Sequence, residues 1–313
     1  MLTYVAKRLT LSLVVVALVL LLLFSMLHMI PGNPAILALG TRATPEAIAE
    51  YSARMRLDEP VPIQFLIFVG NALRGDLGAD VFSGRPVTEV IGERIGFSLA
   101  LIFAGMGWAV LLGIPLGCLA ALRPKSWIDR VTGVFAVGTI AIPSFLVSIW
   151  ALLIFSLQLR WFPAIGAGEP GDVADQLTHL ILPAFAIGLG WVGYLARMVR
   201  ASMLEVLGEP YIRSARAFGL TPRKVTAYAL QVAILPTITL IGMGFGGLIS
   251  AAVFAEIIFA RPGVGKMIFD AVSDRNFPLV QGGVLVATGF YILVVLISDL
   301  IIAWLDPRVR ESL

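Results

Sequence analysis

Residues 97–122, FSLALIFAGMGWAVLLGIPLGCLAAL, form a run of 26 residues without a single Asp, Glu, Lys or Arg. The hydrocarbon core of a bilayer is about 30 Å thick, and a helix of about 20 apolar residues crosses it. The sequence has six runs of this kind. The other five are Leu9–Ile30, Val131–Leu159, Leu177–Ala196, a stretch inside Val225–Ala255 that begins near Ala233, and Phe277–Ser298. The pattern predicts an all-α integral membrane protein with six spans.

Composition excludes the other broad classes. Hydrophobic residues make up 58% of the 313 positions and charged residues 14%, whereas soluble domains have about 25% charged residues. The net charge is only +3 and the basic residues are scattered, so we expect no nucleic-acid partner. The single cysteine, Cys118, excludes a disulfide framework and a paired-cysteine metal site. The surrounding solvent is therefore largely the lipid bilayer.

The distribution of basic residues predicts the orientation. If both termini are cytoplasmic, the inner segments hold 13 basic and 5 acidic residues in 60 positions. The outer segments then hold 10 basic and 13 acidic residues in 103 positions. Because Lys and Arg are retained in the cytoplasm, we expect both termini to be cytoplasmic. The first run is too long for a signal-peptide core and lacks a small-x-small cleavage site, so we expect it to remain as an anchor.

Two connections are long enough to carry structure of their own. We divide the chain into residues 1–30, the N-terminus and first span, residues 31–96, an extracytoplasmic cap, and residues 97–313, the membrane core. In the cap, Thr44 is the expected N-cap of a helix with Pro45 in its first turn. A second helix is predicted over Pro62–Leu73, followed by an amphipathic entry to the second span (Val87, Val90, Ile91 and Ile95).

The inner connection, residues 197–232, alternates basic and apolar residues. The pattern predicts two short amphipathic helices joined at Gly219, with Thr221 as the N-cap and Pro222 in the first turn of the second helix. The pair could rest on anionic lipid as a basic juxtamembrane segment. It could also dock into a groove of a cytoplasmic partner, because it has an apolar stripe and no core of its own.

Residues 209–220, EPYIRSARAFGL, resemble the coupling loop of permease subunits of ATP-binding-cassette importers, in the dipeptide, oligopeptide and nickel group. Further motifs follow in the order expected for that group. They are IPGNPA (30–35), GDLG (75–78), GIPLG (113–117), IPSF (142–145), EIIF with PGVG (256–265), and DPR (306–308). Two departures occur. The loop reads Arg213-Ser214-Ala215 where the general importer motif has Glu-Ala-Ala, and Tyr228 and Gln231-Val232 replace the usual His and Arg-Asn.

The resemblance implies the type I importer permease fold, with a coupling-helix loop between helices 4 and 5. It implies a bacterial or archaeal cytoplasmic membrane protein that translocates di- or oligopeptides by alternating access, with nickel or another small solute as the alternative cargo. Its partners would be a homologous second permease, two ATP-binding subunits and an extracytoplasmic substrate-binding protein. The residues it assigns to ATPase coupling are Tyr211, Ile212, Arg213, Ala215, Arg216, Gly219 and Leu220.

The chain itself carries no nucleotide-binding motif. Gly263-Val264-Gly265-Lys266 lacks the first glycine and the hydroxyl residue of a phosphate-binding loop, since Ala260 and Met267 occupy those positions. ATP and Mg²⁺ are therefore expected in partner subunits, with no cofactor here. The two histidines, His28 and His179, lack the further ligands that a metal site needs. No catalytic residues can be assembled, so we expect a transporter subunit rather than an enzyme.

Polar and aromatic residues inside the apolar runs are the remaining candidates. Glu256 and Asp299 are the only acids there, and their places near the span ends favour structural roles; a proton-coupled secondary transporter is the alternative. The aromatic residues Phe145, Trp150, Trp191 and Tyr194 are candidates for lining a pathway or for ordinary packing. Gly113 with Gly117, and Gly242 with Gly246, predict close helix contacts; the alternative is that they narrow a helix that lines a pathway.

Overall fold

The computed structural model describes residues 2–29, 34–39 and 43–305, most of which are helical. The α-helices are α1 (Leu2–Met29), α2 (Pro34–Leu39), α3 (Pro45–Met55), α4 (Val61–Leu73), α5 (Val87–Leu122), α6 (Trp127–Ala141), α7 (Ser144–Ala151), α8 (Val173–Leu207), α9 (Pro210–Ala217), α10 (Pro222–Ala233), α11 (Leu235–Ile258), α12 (Val264–Ser273) and α13 (Phe277–Leu305). A π-helix, Leu152–Gln158, follows α7. Among the described residues, the only β pairing is an isolated bridge between Ala79 and Pro86. The all-α prediction is confirmed.

Local capping signals place several helix ends where the sequence predicts them. Thr44 precedes α3, and its Oγ1 accepts a hydrogen bond from the Ala47 N–H at 3.2 Å. α4 ends at Leu73, shortly before Gly75, whose φ of +81° suits glycine. α11 begins at Leu235 with Pro236 in its first turn. These ends depend on interactions within a few residues, which a sequence pattern records directly.

Four helices of the described part are long and apolar enough to cross a bilayer: α5, α8, α11 and the Phe277–Ser298 part of α13. In α1 the described apolar stretch is the shorter segment Thr10–Ser25, and the expected end of that span, Ile30, lies outside the described residues. The described part of the chain thus has four or five apolar helical spans by length and composition, as a multi-pass membrane protein does. Which number applies depends on whether the bent pair described next is counted as one span.

The third expected span, Val131–Leu159, is not one continuous helix. α6 ends at Ala141, and the helical segment Ser144–Gln158 departs from it at an angle of 98°. Pro143 has no N–H to donate, and Ile142 before it is extended, with φ −90° and ψ 121°. The bend is followed by the π-helix, whose wider turn is a second departure from the expected regular helix.

The chain forms two compact units, and α5 and α13 contribute residues to both. One unit comprises the described residues of 99–261 and 293–305, and the other those of 2–98 and 262–292. In the first unit, α8 packs against α5. A Cβ built on Gly113 would lie 2.8 Å from Leu195 Cβ, and one built on Gly117 would lie 2.6 Å from the Ala196 carbonyl oxygen. The close contact predicted for this glycine pair is confirmed.

In the second predicted glycine pair, Gly242 also makes the expected close helix contact. Gly242 of α11 lies against Ser298 of α13, where a Cβ would be 2.5 Å from the serine side chain. Two glycines outside the predicted pair, Gly244 and Gly247, pack against the indole of Trp191 on α8. Cβ atoms built on them would lie 2.9 Å and 3.0 Å from the indole ring. Glycine at both positions leaves room for the indole ring. No regular spacing of small residues in the sequence indicated this contact.

In the second unit, α5 packs against α12 and the start of α13. Its apolar cluster comprises the buried residues Val87, Val90, Ile91, Val264, Met267, Ala271 and Leu279. The amphipathic entry predicted at Val87 is the first part of α5 itself, so no break separates it from the second expected span. Ser98 of α5 also accepts a hydrogen bond from the Val264 N–H at 2.8 Å, which connects the two helices.

Asp80 organises the turn between α4 and α5. Its carboxylate accepts the Phe82 N–H at 3.1 Å and the Ser83 N–H at 3.3 Å, and it also bonds the Ser83 hydroxyl and the Asn276 amide. Burial acts to raise the pKa of this carboxyl. The hydrogen bonds from Ser83, Phe82 and Asn276 outweigh that effect, and the pKa lies below its ordinary value of 3.8.

We expect the turn at Asp80 to loosen in acid. A folded-state pKa below the ordinary value means that the stabilisation is complete above pH 3.8 and is lost as the pH falls through the folded value. Amide hydrogen exchange of residues 80–86, corrected for intrinsic rates, should accelerate below about pH 4. Asp80→Asn should exchange fast at pH 6 as well. Equal protection of both proteins at pH 6 would contradict the assignment.

Candidate functional site

The inner connection predicted over residues 197–232 contains the two expected short helices, α9 and α10, but residues 197–207 belong to α8, which is longer than the expected span. α9 ends at Ala217, and Gly219 has φ +78°, in the left-handed region that favours glycine. The Leu220 N–H returns to the Ala215 carbonyl at 3.2 Å, which closes the end of α9. α10 then begins at Pro222. Thr221 occupies the N-cap position, but its side chain makes no capping hydrogen bond.

Substitution of Gly219 by valine should disturb this turn. No atom lies within 4 Å of a Cβ built there, so the constraint is the positive φ and not space. A β-branched residue in the left-handed region costs roughly 1–2 kcal/mol. We expect Gly219→Val to insert normally into the membrane and to lose most of its transport. Gly219→Asn, which tolerates positive φ, is the control, and transport by Gly219→Val equal to that of the control would show that the bend is dispensable.

One face of the pair packs inside the chain. Ile212 of α9 and Val225, Ala229 and Ala233 of α10 are buried with residues of α5 and α8, in a cluster completed by Ala121, Val199, Met203 and Val206. Ile212 has no exposed surface at all. The expectation that Ile212 enters a partner's groove is therefore corrected. This side chain holds α9 to its own subunit, and the half-buried Leu220 packs at the edge of the same cluster.

The opposite face is exposed. Arg213 and Arg216 are exposed, Ala215 is half-buried, and the Tyr211 ring is 49% exposed. Phe218, in the turn after α9, is 85% exposed and was not among the residues selected from the sequence. Its position directly before the helix-ending glycine places it at the tip of the turn, which is the signal that could have identified it. An aromatic residue so exposed between two arginine-bearing helices is suited to a protein partner.

An ion pair lies near this cluster that the sequence did not reveal. Arg200 of α8 contacts Asp129 of α6 at two points, Nε to Oδ1 and a terminal guanidinium nitrogen to Oδ2 at 2.9 Å. The Asp129 carboxylate also accepts the Lys125 N–H at 2.9 Å. Its side chain is only 9% exposed. The two residues are 71 positions apart, so no local pattern connects them.

The aromatic candidates have different surroundings. Trp191 packs against α11 and lies 5.6 Å from the Tyr194 ring, centroid to centroid, whereas Tyr194 itself is 46% exposed. Phe145 contacts Phe254 of α11 at 6.0 Å and, like Trp150, is more than 40% exposed. The structure therefore pairs the ring of Trp191 with that of Tyr194, and the ring of Phe145 with that of Phe254.

The acidic candidates are only partly described. Glu256 is completely buried near the end of α11, and Arg261, just after that helix, is 3% exposed. Burial lowers the pKa of Arg261 below its ordinary value, and the negative charge of Glu256 offsets that effect only in part. The backbone also connects them, since the Arg261 N–H donates to the Glu256 carbonyl at 2.8 Å. The side chain of Asp299, on α13, lies outside the described residues.

No metal centre emerges from the described side chains. His179 does have one possible second ligand, because its Nδ1 lies 3.3 Å from Asp175 Oδ1 one turn earlier on α8. Within the described ranges, however, no group of three His, Cys, Asp or Glu residues could hold an ion. His28 lies in α1, and its side chain is outside the described set.

Comparison with solved structures supports the architecture. A structure titled as an inward-facing conformation of the MetNI methionine ABC transporter matches with a TM-score of 0.55 at 16% identity. The match covers 69% of this chain and 96% of that one. At this identity the likeness concerns the fold alone.

Sequence comparison gives matches over almost the whole chain. The probable peptide ABC transporter permease protein y4tP of Sinorhizobium fredii is 34% identical over 98% of this chain and 99% of its own length. The dipeptide transport system permease protein DppB of Alkalihalophilus pseudofirmus is 33% identical over 99% and 100%. The glutathione transport system permease protein GsiC of Escherichia coli is 35% identical over 99% of both chains.

Family models agree with these matches. The model described as binding-protein-dependent transport system inner membrane component matches residues 113–311, which include α8 to α12. The model of the N-terminal part of such components matches residues 1–90. The chain therefore belongs to the family of inner-membrane components of binding-protein-dependent transport systems, the permease subunits of ABC importers.

Proposed function

We propose that this chain forms the translocation pathway of an ATP-driven importer of di- or oligopeptides and works by alternating access. The observation that carries the proposal is the set of relatives matched over 98–99% of this chain, whose names specify peptide, dipeptide and glutathione transport. As a permease subunit, the chain is a transporter component and not an enzyme. Nickel or another small solute is the alternative cargo.

The exposed face of α9–α10 is proposed as the site where an ATPase subunit docks. Tyr211, Arg213, Arg216 and Phe218 are exposed there, while Ile212 holds α9 to α8 and α10 from behind. Force applied to this face would reach α8 directly, because buried side chains of α8, α9 and α10 pack in one cluster. Two such ATPases would bind ATP and Mg²⁺, and a second permease and an extracytoplasmic binding protein would complete the importer.

The proposed topology counts α1 and the bent pair of α6 with Ser144–Gln158 as spans, which gives six with both termini in the cytoplasm. The connecting segments on the same side of the membrane as α9 and α10 have a higher density of basic residues than those on the other side, which supports this orientation. Residues 31–96 then form an extracytoplasmic cap. Phe145, Trp150 and Tyr194, which this chain leaves exposed, are proposed to face the pathway or the second permease.

Cysteine labelling tests this orientation. In a Cys118→Ala background, a membrane-impermeant maleimide added to intact cells should label Ala79→Cys and not Ser214→Cys. Permeabilised cells should show equal labelling of both, which controls for accessibility. The reverse pattern would invert the topology and would remove the α9–α10 pair from the reach of a cytoplasmic ATPase.

Reconstitution tests the proposed activity. Proteoliposomes containing this chain, the second permease and both ATPases should accumulate a radiolabelled dipeptide when the binding protein and ATP are supplied. Uptake should cease with a non-hydrolysable ATP analogue. Uptake driven by a proton gradient in vesicles with this chain alone would favour a secondary transporter. Uptake of nickel without uptake of any peptide would change the cargo.

A further inference from the structure

The contacts between α6 and α8 follow one register. Asp129 pairs with Arg200, and seven residues further along α6, Ala136 faces Gly193, seven residues back along α8. A Cβ built on Gly193 would lie 2.8 Å from the Ala136 carbonyl oxygen. As the residue number rises along α6, the number of the residue that it contacts on α8 falls by the same amount. The two helices therefore run antiparallel and remain in contact along this stretch. The ion pair forms one end of this contact.

Glycines of α8 let the backbones of α6 and α8 approach each other closely further along the same interface. Beyond Gly193, a Cβ on Gly190 would lie 3.4 Å from the Thr139 carbonyl oxygen, three positions further on both helices. Small residues let two helix backbones approach, but they do not prevent one helix from sliding along or rotating against the other. A two-point contact between guanidinium and carboxylate does supply such a directional constraint.

The ion pair also lies beside the residues that hold α9 and α10. Arg200 is adjacent to Val199 and one helical turn before Met203, both of which are completely buried against the cluster containing Ile212 and Val225. On the other side, Asp129 stands in the first turn of α6, where Ser126 caps the helix by accepting the Asp129 N–H at 3.3 Å. The pair therefore connects the α9–α10 support to the start of the helix that bends at Pro143.

We propose that Asp129 and Arg200 are positioning residues that make α6 follow α8 when the ATPases move the α9–α10 pair. Motion of α8 is thereby delivered to α6, and through the 98° bend to α7 and the π-helix. The inference rests on the proposed coupling function of α9–α10. Without the ion pair, the ATPases would still bind and hydrolyse ATP, but hydrolysis would no longer move α6.

The test uses the fully assembled importer in proteoliposomes and measures peptide uptake per ATP hydrolysed. We expect Asp129→Asn and Arg200→Gln each to lower that ratio at least fivefold, with normal copurification of the ATPases. The double variant should be no worse than either single variant, because both remove one interaction. Arg216→Glu is the reference for failed docking, since it should lose the ATPases themselves.

A covalent link replaces the ion pair in the decisive experiment. In the Cys118→Ala background, Asp129→Cys with Arg200→Cys should be uncoupled when reduced and should recover at least half of the wild-type ratio after a short bifunctional thiol reagent joins the two positions. An unchanged ratio in the reduced protein, or a link that leaves it uncoupled, would overturn the proposal. The single variants could instead assemble poorly. If the fraction that does assemble then shows the wild-type ratio of uptake to ATP hydrolysis, the proposal is also overturned. If even the wild-type importer takes up no peptide, the proposed function itself fails.

Discussion

Replacing Gly117 by alanine should separate α5 from α8 and destabilise the membrane core. The new Cβ would lie 2.6 Å from the Ala196 carbonyl oxygen and 2.8 Å from Val199 Cβ, and neither atom belongs to a flexible side-chain end. The helices must therefore move apart, at a cost of about 1–3 kcal/mol for overpacking. Val199 is also part of the cluster that supports α9 and α10, so we expect transport to fall with stability.

Gly107→Ala provides the matched control for this prediction. Gly107 lies on the same helix, and a Cβ built there meets no atom within 4 Å. The intrinsic helix preference for alanine over glycine should make this change neutral or slightly favourable. Thermal unfolding of the purified variants in detergent distinguishes the two. Equal midpoints for Gly117→Ala and Gly107→Ala would mean that the close approach of α5 to α8 is not needed.

Features determined by neighbouring residues could be predicted from the sequence. The Thr44 cap, the proline entries at Pro45 and Pro236, and the left-handed Gly219 each depend on interactions within one helical turn, so the residue types alone indicate them. The apolar runs likewise predict helices. Lipid offers no hydrogen-bond partners, so a segment that crosses it must satisfy its backbone N–H and C=O groups internally.

The bend at Pro143 could not be predicted in the same way. Pro115 lies inside α5 and Pro183 inside α8, and neither ends its helix. A proline removes one hydrogen bond wherever it occurs, but surrounding packing decides whether the helix continues through it. Only the tertiary structure shows that the chain turns by 98° at Pro143 and not at the other two prolines.

The contacts of the buried face of α9 are a second feature that could not be predicted from the sequence. Helical periodicity separates Ile212 from the arginines, but it does not say whether the apolar face meets a partner or the same chain. The decision comes from α8, whose Val199 and Met203 lie beside Ile212. The Asp129–Arg200 pair has the same origin, since antiparallel packing of two distant helices creates it.

Removal of the Phe218 ring is expected to release the ATPase subunits. Because Ile212 faces inward, Phe218 is the most exposed aromatic residue of the α9–α10 segment, at 85% against 49% for Tyr211 and 52% for Tyr228. Aromatic side chains that become desolvated at the centre of an interface typically contribute 2 kcal/mol or more to binding. Phe218→Ala should therefore weaken the complex by roughly thirtyfold, since each 1.4 kcal/mol is a factor of ten.

Phe269→Ala is the control for this substitution. Phe269 of α12 is also exposed, at 51%, and belongs to the other compact unit. Copurification of the ATPases with tagged permease, measured over a salt series, tests both variants. The apolar contribution of Phe218 should persist at high salt, whereas any contribution of Arg213 and Arg216 should weaken as their charges are screened. If Phe218→Ala retains the ATPases as well as Phe269→Ala does, the exposed ring is not the anchor, and the docking surface must be sought away from the turn at Gly219.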